Sequence, residues 1–202
     1  MLDGWVRTKI DPVLNRMASS IAGAGATPNR ITIASCGVGL AAAGSIATEY
    51  YWLGMFLLLV SRLGDGLDGA VAKISGKTDF GGYLDIVLDF LFYGVIPLGF
   101  VLANPEANAI PGAVLILSFY VNGSSFLAYA VIAEKRDLET NARGSKSIYF
   151  TTGLAEATET IGVFVAMCVF PAWFPVLAWV FAAICFYTAF ARIVQAAAAF
   201  RD

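Results

Sequence analysis

Residues 61–94 read SRLGDGLDGAVAKISGKTDFGGYLDIVLDFLFYG, two apolar stretches joined by a polar turn and interrupted by four aspartates. Asp65 and Asp68 are three residues apart and Asp85 and Asp89 four apart. In helices each pair falls on one face, and the two faces are expected to meet across the hairpin. Carboxylates gathered in one pocket repel one another unless cations or protons neutralise them, and hard oxygen ligands suit Mg2+ or Mn2+. Two divalent cations fit the count. Such a pair, typically ~3.5–4 Å apart, clamps a diphosphate and orients an incoming oxygen for in-line attack, so phosphoryl-type transfer is the leading chemistry.

The rest of the chain puts these aspartates in a membrane. Of 202 residues 58% are hydrophobic and 14% charged, and the mean hydropathy is +0.73, far from the usual balance of a soluble domain. Apolar runs of about 20 residues, enough to cross a bilayer core, recur along the chain. An all-α membrane bundle of six transmembrane helices is expected, with spans at 31–48, 50–73, 79–103, 109–133, 147–170 and 174–198. Before them, residues 1–20 mix Arg7, Lys9, Asp11 and Arg16 with Trp5, Ile10, Val13, Leu14 and Met17 at roughly helical spacing. That pattern predicts an amphipathic juxtamembrane helix rather than a signal peptide, leaving 21–202 as the six-helix catalytic domain.

Eleven of the thirteen basic residues, among them Arg30, Lys73, Lys77, Lys135, Arg136, Arg143 and Lys146, fall at one set of span ends. By the positive-inside rule both termini and the aspartates face the cytoplasm. Arg62 and Arg192 lie inside spans, where a charge marks a polar cavity or a partner. Cys36, Cys168 and Cys185 are isolated in apolar runs, as packing residues are. The chain has no histidine, which excludes histidine relays and most zinc sites. A net charge of -2 with dispersed basic residues gives no sign of nucleic-acid binding.

Gly69 follows Asp65 by four residues, Gly81 precedes Asp85 by four, and Ala72 continues the small-residue stripe. Small side chains let a nucleotide approach the backbone; they also let membrane helices pack closely. The aspartates themselves have a structural alternative, pairing with Arg62, Lys73 or Lys77.

The stretch resembles the signature of the CDP-alcohol phosphotransferase (phosphatidyltransferase) family, Asp-x-x-Asp-Gly-x-x-Ala-Arg, about eight residues, then Gly-x-x-x-Asp-x-x-x-Asp. Here it reads DGLDGAVAK, ISGKTDF and GGYLDIVLD, and TPNRIT at 27–32 resembles the family's entry to the first span. Lys73 stands where the family has Arg, and the linker before Gly81 is one residue shorter. The resemblance implies that Asp65, Asp68, Asp85 and Asp89 bind two metal ions and that Asp89 is also the base for the acceptor hydroxyl. It places Gly69, Ala72, Lys73 and Gly81 beside the CDP moiety of a CDP-linked lipid, with Asn29 and Thr32 nearby. It further implies attack of a small alcohol on the lipid-linked phosphate, release of CMP, and a homodimer.

The acceptor depends on residues outside the signature. Arg192, with Lys135, Arg136, Arg143 or Lys146, would favour a phosphorylated acceptor such as glycerol 3-phosphate or an inositol phosphate. Glu156 and Glu159 would favour an amino alcohol or polyol, unless one of them pairs with Arg192 or Arg62. An ion-coupled transporter is the rival reading, because intramembrane carboxylates also line transport paths. Their collection in a single hairpin argues against it.

Overall fold

The computed structural model describes residues 2–23, 25–136 and 155–200, and every regular element among them is helical. They are α1 (Leu2–Gly23), α2 (Pro28–Ala47), α3 (Tyr51–Ser75), α4 (Asp79–Ala103), α5 (Pro105–Lys135), α6 (Ala157–Val169) and α7 (Phe174–Ala199), with a single 3-10 turn at Pro171–Trp173. Local chemistry sets the boundaries. Pro28 opens α2, where its missing N–H costs nothing. Thr78 Oγ1 accepts the Gly81 N–H at 3.1 Å at the start of α4, and Asn104 Oδ1 accepts the Ala107 N–H at 3.2 Å at the start of α5. α3 stops at Gly76, whose φ of 98° suits glycine. The turn that follows reverses the chain between the two pairs of aspartates.

Four helical stretches are long and apolar enough to cross a membrane: Pro28–Ala47, Asp79–Ala103, Pro105–Lys135 and Pro171–Ala199. The six expected spans are thus four by length and apolarity. α3 has the length, at 25 residues, but Arg62, Asp65, Asp68 and Lys73 interrupt its apolar run. α6 has 13 residues and begins directly after Glu156, while 147–154 of the expected fifth span lie outside the described residues. In α1, Leu14 and Ala18, one turn apart, are buried, whereas Arg16 and Met17 are exposed. The buried pair packs on Ala70 and Val71 of α3, so this helix has a protein partner along its apolar stripe and extends past the expected boundary at residue 20.

The helices neighbour one another in the order α3, α2, α4, α5, α7 and α6, and α6 returns to α3. α3 and α4, though consecutive, each pack along α2 rather than along one another. Small residues permit this wedge: a Cβ on Gly64 of α3 would collide with Ser35 of α2, and one on Gly39 of α2 would lie 2.8 Å from the Phe92 ring of α4. Away from the hairpin the ring is dry. Phe100 stacks on Phe174 at 4.8 Å, Phe92 meets Phe164 at 6.3 Å, and Ile46, Leu58, Ile96, Leu115 and Met167 fill the spaces between. Tyr51 stacks on Phe100 at 5.9 Å. Cys36, Cys168 and Cys185 are free and buried.

A Cβ on Gly99 would stand 2.7 Å from the backbone oxygen of Ala43, which cannot swing aside, whereas one on Gly162 would meet nothing within 4 Å. Thermal unfolding in detergent should therefore show Gly99→Ala destabilised by about 1–3 kcal/mol, the usual cost of overpacking. Gly162→Ala should match the parent or gain slightly, since alanine is the better helix former.

Candidate active site

The second half of α3 and the first half of α4 converge on a set of carboxylates. Oxygens of Asp65, Asp68 and Asp85 lie within 4.8 Å of one another. Asp65, Asp68, Gly69 and Ala72 form one helical stripe on α3, which brings the pair on α3 against Asp85 of α4. Asp68 is 5% exposed, and its Oδ2 is buried without a hydrogen-bond partner. Three hard oxygens at this separation, one of them an orphan, are a donor set that fits a divalent cation. Left without countercharge, they repel at short range in a poorly hydrated pocket.

Asp89 is placed differently. One turn beyond Asp85, it accepts a hydrogen bond from Arg62 Nη1 to Oδ1 at 2.6 Å, and the same nitrogen stands 3.6 Å from Asp65 Oδ1. The Arg62 guanidinium carbon lies over the Phe92 ring, 3.6 Å from its centroid. Its Nη2 donates to Ser61 Oγ at 3.3 Å, and Ser61 in turn donates to the Ser35 carbonyl at 2.7 Å. The α2–α3 crossing thus braces the arginine that holds Asp89.

The residues expected around the nucleotide are gathered at the same end. A Cβ on Gly81 would lie 3.0 Å from Asn29 Oδ1, so the starts of α2 and α4 touch there, while Gly69 faces open space. Thr32 is buried beside Asp68, and Ala72 is half-buried and Lys73 exposed at the end of the stripe. Arg192 of α7 is held from α5: Nη1 donates to the Asn122 carbonyl at 2.9 Å, Asn122 Oδ1 at 3.0 Å and Ser125 Oγ at 2.6 Å. The Asn122 site is level with Asp89, because neighbouring Gly123 packs against the ring of Phe90. Among the described residues neither Arg192 nor Arg62 takes Glu156 or Glu159 as a partner. Those glutamates sit at the first turn of α6, and Arg143 and Lys146 lie outside the described residues.

A sequence profile described as CDP-alcohol phosphatidyltransferase matches residues 26–191. The chain belongs to the CDP-alcohol phosphatidyltransferase family. This phosphatidyltransferase is therefore an enzyme, and the family match leaves the transporter reading without support. It is 44% identical over 193 residues to Inner membrane protein YnjF of Escherichia coli K12, covering 96% of this chain and 94% of that protein. It is 30% identical over 161 residues to Archaetidylinositol phosphate synthase of Pyrococcus horikoshii, covering 79% and 85%. Its fold is that of Mycobacterium tuberculosis phosphatidylinositol phosphate synthase with CDP-DAG bound, at a TM-score of 0.69, 20% identity and 90% and 92% coverage. The same synthase with manganese and citrate gives 0.68 at 22% identity and 89% and 87% coverage.

Sequence reasoning marked Arg62 as costly and left its partner unresolved; the i, i+3 spacing to Asp65 was readable, whereas Asp89 comes from another helix. Asn122 and Ser125 carried no signal, being ordinary polar residues in an apolar run.

Mn2+ should raise the thermal midpoint of the purified phosphatidyltransferase, the stabilisation being about 2.7 kcal/mol when free metal stands at a hundred times its dissociation constant. Asp68→Asn should abolish most of that shift; an equal shift in the variant would remove Asp68 from the metal set.

Proposed function

We propose that this phosphatidyltransferase moves the phosphatidyl group of CDP-diacylglycerol onto a small phosphorylated alcohol, glycerol 3-phosphate or an inositol phosphate, in phospholipid biosynthesis, releasing CMP. The observation that carries this reading is the convergence of Asp65, Asp68 and Asp85 within 4.8 Å around an orphaned carboxylate oxygen. Together with Asp89, one turn beyond Asp85 on α4, these three aspartates would hold two divalent cations, Mg2+ or Mn2+. When bound, the cations supply positive charge that neutralises a diphosphate and eases the departure of CMP.

The chain's own residues do the remaining work. Gly69 and Ala72 leave room on α3 for the CDP moiety, Gly81, Asn29 and Thr32 wall the same end, and Lys73 offers a positive charge at the rim. Lys73 does so without the two-pronged fork of an arginine. Asp89, outside the closest cluster, accepts the proton of the acceptor hydroxyl as that oxygen bonds to the lipid-linked phosphorus. The bond from phosphorus to CMP breaks, and CMP leaves with the electron pair. A carboxylate fully engaged by a metal is a poor base, so the base role requires Asp89 to be the weakest of the four ligands.

Arg192 supports a phosphorylated acceptor. Only Nη1 is committed to α5, so among the described residues its other two nitrogens make no hydrogen bond and remain to meet a phosphate. The relatives named as inositol phosphate synthases point to the same acceptor class. The basic span ends and the relative named as an inner membrane protein support placement in an inner membrane, with six spans counting α3 and α6 and with both termini and the site cytoplasmic. A homodimer is the assembly that the family resemblance implies.

Purified protein given CDP-diacylglycerol, Mg2+ or Mn2+ and a panel of alcohols should release CMP with glycerol 3-phosphate or an inositol phosphate and stay silent with unphosphorylated alcohols. Asp89→Asn should lose at least about a hundredfold in turnover, the scale of a general base, and still bind CDP-diacylglycerol; parental turnover would sink the base assignment. In a separate measurement, Arg192→Gln should raise the KM of the phosphorylated acceptor about tenfold or more, as loss of a charge-assisted hydrogen bond does, and leave the CDP-diacylglycerol KM alone.

A further inference from the structure

Arg192 is an arginine inside a span whose partners are all neutral. Nη1 donates to the Asn122 carbonyl at 2.9 Å, to Asn122 Oδ1 at 3.0 Å and to Ser125 Oγ at 2.6 Å. Ser125 Oγ in turn donates to the same Asn122 carbonyl at 2.7 Å. A carbonyl, an amide oxygen and a hydroxyl from one turn of α5 thus close on a single nitrogen of α7. The guanidinium carbon also stands 5.6 Å from the centroid of the Phe126 ring. Among the described residues no carboxylate pairs with Arg192.

A charge inside a span is costly and is met by an opposite charge or by carbonyls. Neutral oxygens fix the guanidinium and leave its charge uncancelled, whereas a carboxylate would neutralise it. If the contact served only to join α5 to α7, an aspartate at position 122 would join them more strongly; the chain has an asparagine there. The contact is also level with the carboxylates. A Cβ on Gly123 would collide with the Phe90 ring, and Phe90 follows Asp89 on α4.

We propose that Asn122 and Ser125 are positioning residues for acceptor recognition: they hold Arg192 by one nitrogen with uncharged oxygens, so that its undiminished charge and its other two nitrogens meet the phosphate of the acceptor alcohol. The inference rests on the reading of Arg192 as the residue that meets that phosphate. It adds that acceptor affinity depends on the neutrality of the α5 contact as well as on its grip.

The test uses Asn122→Asp, Ser125→Ala and Ser125→Thr in detergent. The readings are the KM of glycerol 3-phosphate or an inositol phosphate, whichever releases CMP, the KM of CDP-diacylglycerol, kcat and the thermal midpoint. Asn122→Asp keeps an oxygen toward Nη1 and adds a negative charge, so the acceptor KM should rise about tenfold or more. Its kcat and CDP-diacylglycerol KM should match the parent, and its thermal midpoint should hold or rise. Ser125→Ala should raise the acceptor KM about fivefold, as loss of one hydrogen bond does, and Ser125→Thr, which keeps the hydroxyl, should restore it. A parental acceptor KM in Asn122→Asp would overturn the proposal, because tethering alone would then suffice. A joint loss of thermal midpoint, kcat and both substrate affinities would overturn it equally, by making the contact a brace of the fold. Arg192→Gln separates this inference from the reading beneath it. If that variant keeps the parental acceptor KM, the phosphate reading fails; if it raises the KM while Asn122→Asp and Ser125→Ala do not, only the role of the α5 residues fails.

Discussion

Carboxylates set beside apolar helices demand countercharge, and the packing of α2, α3 and α4 is organised around that demand. On insertion scales an aspartate at the centre of a membrane helix costs about 2.5–3.5 kcal/mol, so four of them are a standing burden on the bundle. Hydrophobic packing alone does not remove it. The chain meets it in two ways: three oxygens are drawn close enough to share cations, and the fourth aspartate is given a buried arginine. Each way leaves a carboxylate available for chemistry, which a direct pairing of all four with lysines would not.

The wedge of α2 makes this arrangement possible. Had α3 and α4 packed directly along each other, their aspartates would have been pressed together with no space for a ligand. Both instead pack on α2 at positions where Gly39, Gly64 and Ser35 allow close approach, and their aspartates meet across the space between them. The same crossing supplies Ser61 and Ser35, which steady Arg62. Packing residues and site residues are therefore continuous, and a change in the helix crossing would be felt at the carboxylates.

Much of this was legible in the sequence. The spacing of Asp65, Asp68, Asp85 and Asp89 gave the shared faces, the SGKTD turn gave the hairpin, and capping residues put most helix ends within a few positions of those expected. The span count was less readable, because the charges that make α3 functional are the ones that spoil its hydropathy. Pairing of Arg62 with an aspartate was among the readings, but Asp89 as its nearest partner was not, since a contact between residues 27 positions apart depends on how far α2 spreads its neighbours. Asn122 and Ser125 show the same limit. Their role exists only because α5 and α7 lie side by side, and one-dimensional patterns do not report which helices do so.

The aromatic packing at the far end of the bundle has its own consequence. Phe92, Phe100, Phe164 and Phe174 are all but fully buried and fill the interior of the ring. The four rings tie three helices into one unit, since Phe92 and Phe100 stand on α4, Phe164 on α6 and Phe174 on α7. A change of ring size at any one of them would therefore be felt by all three helices.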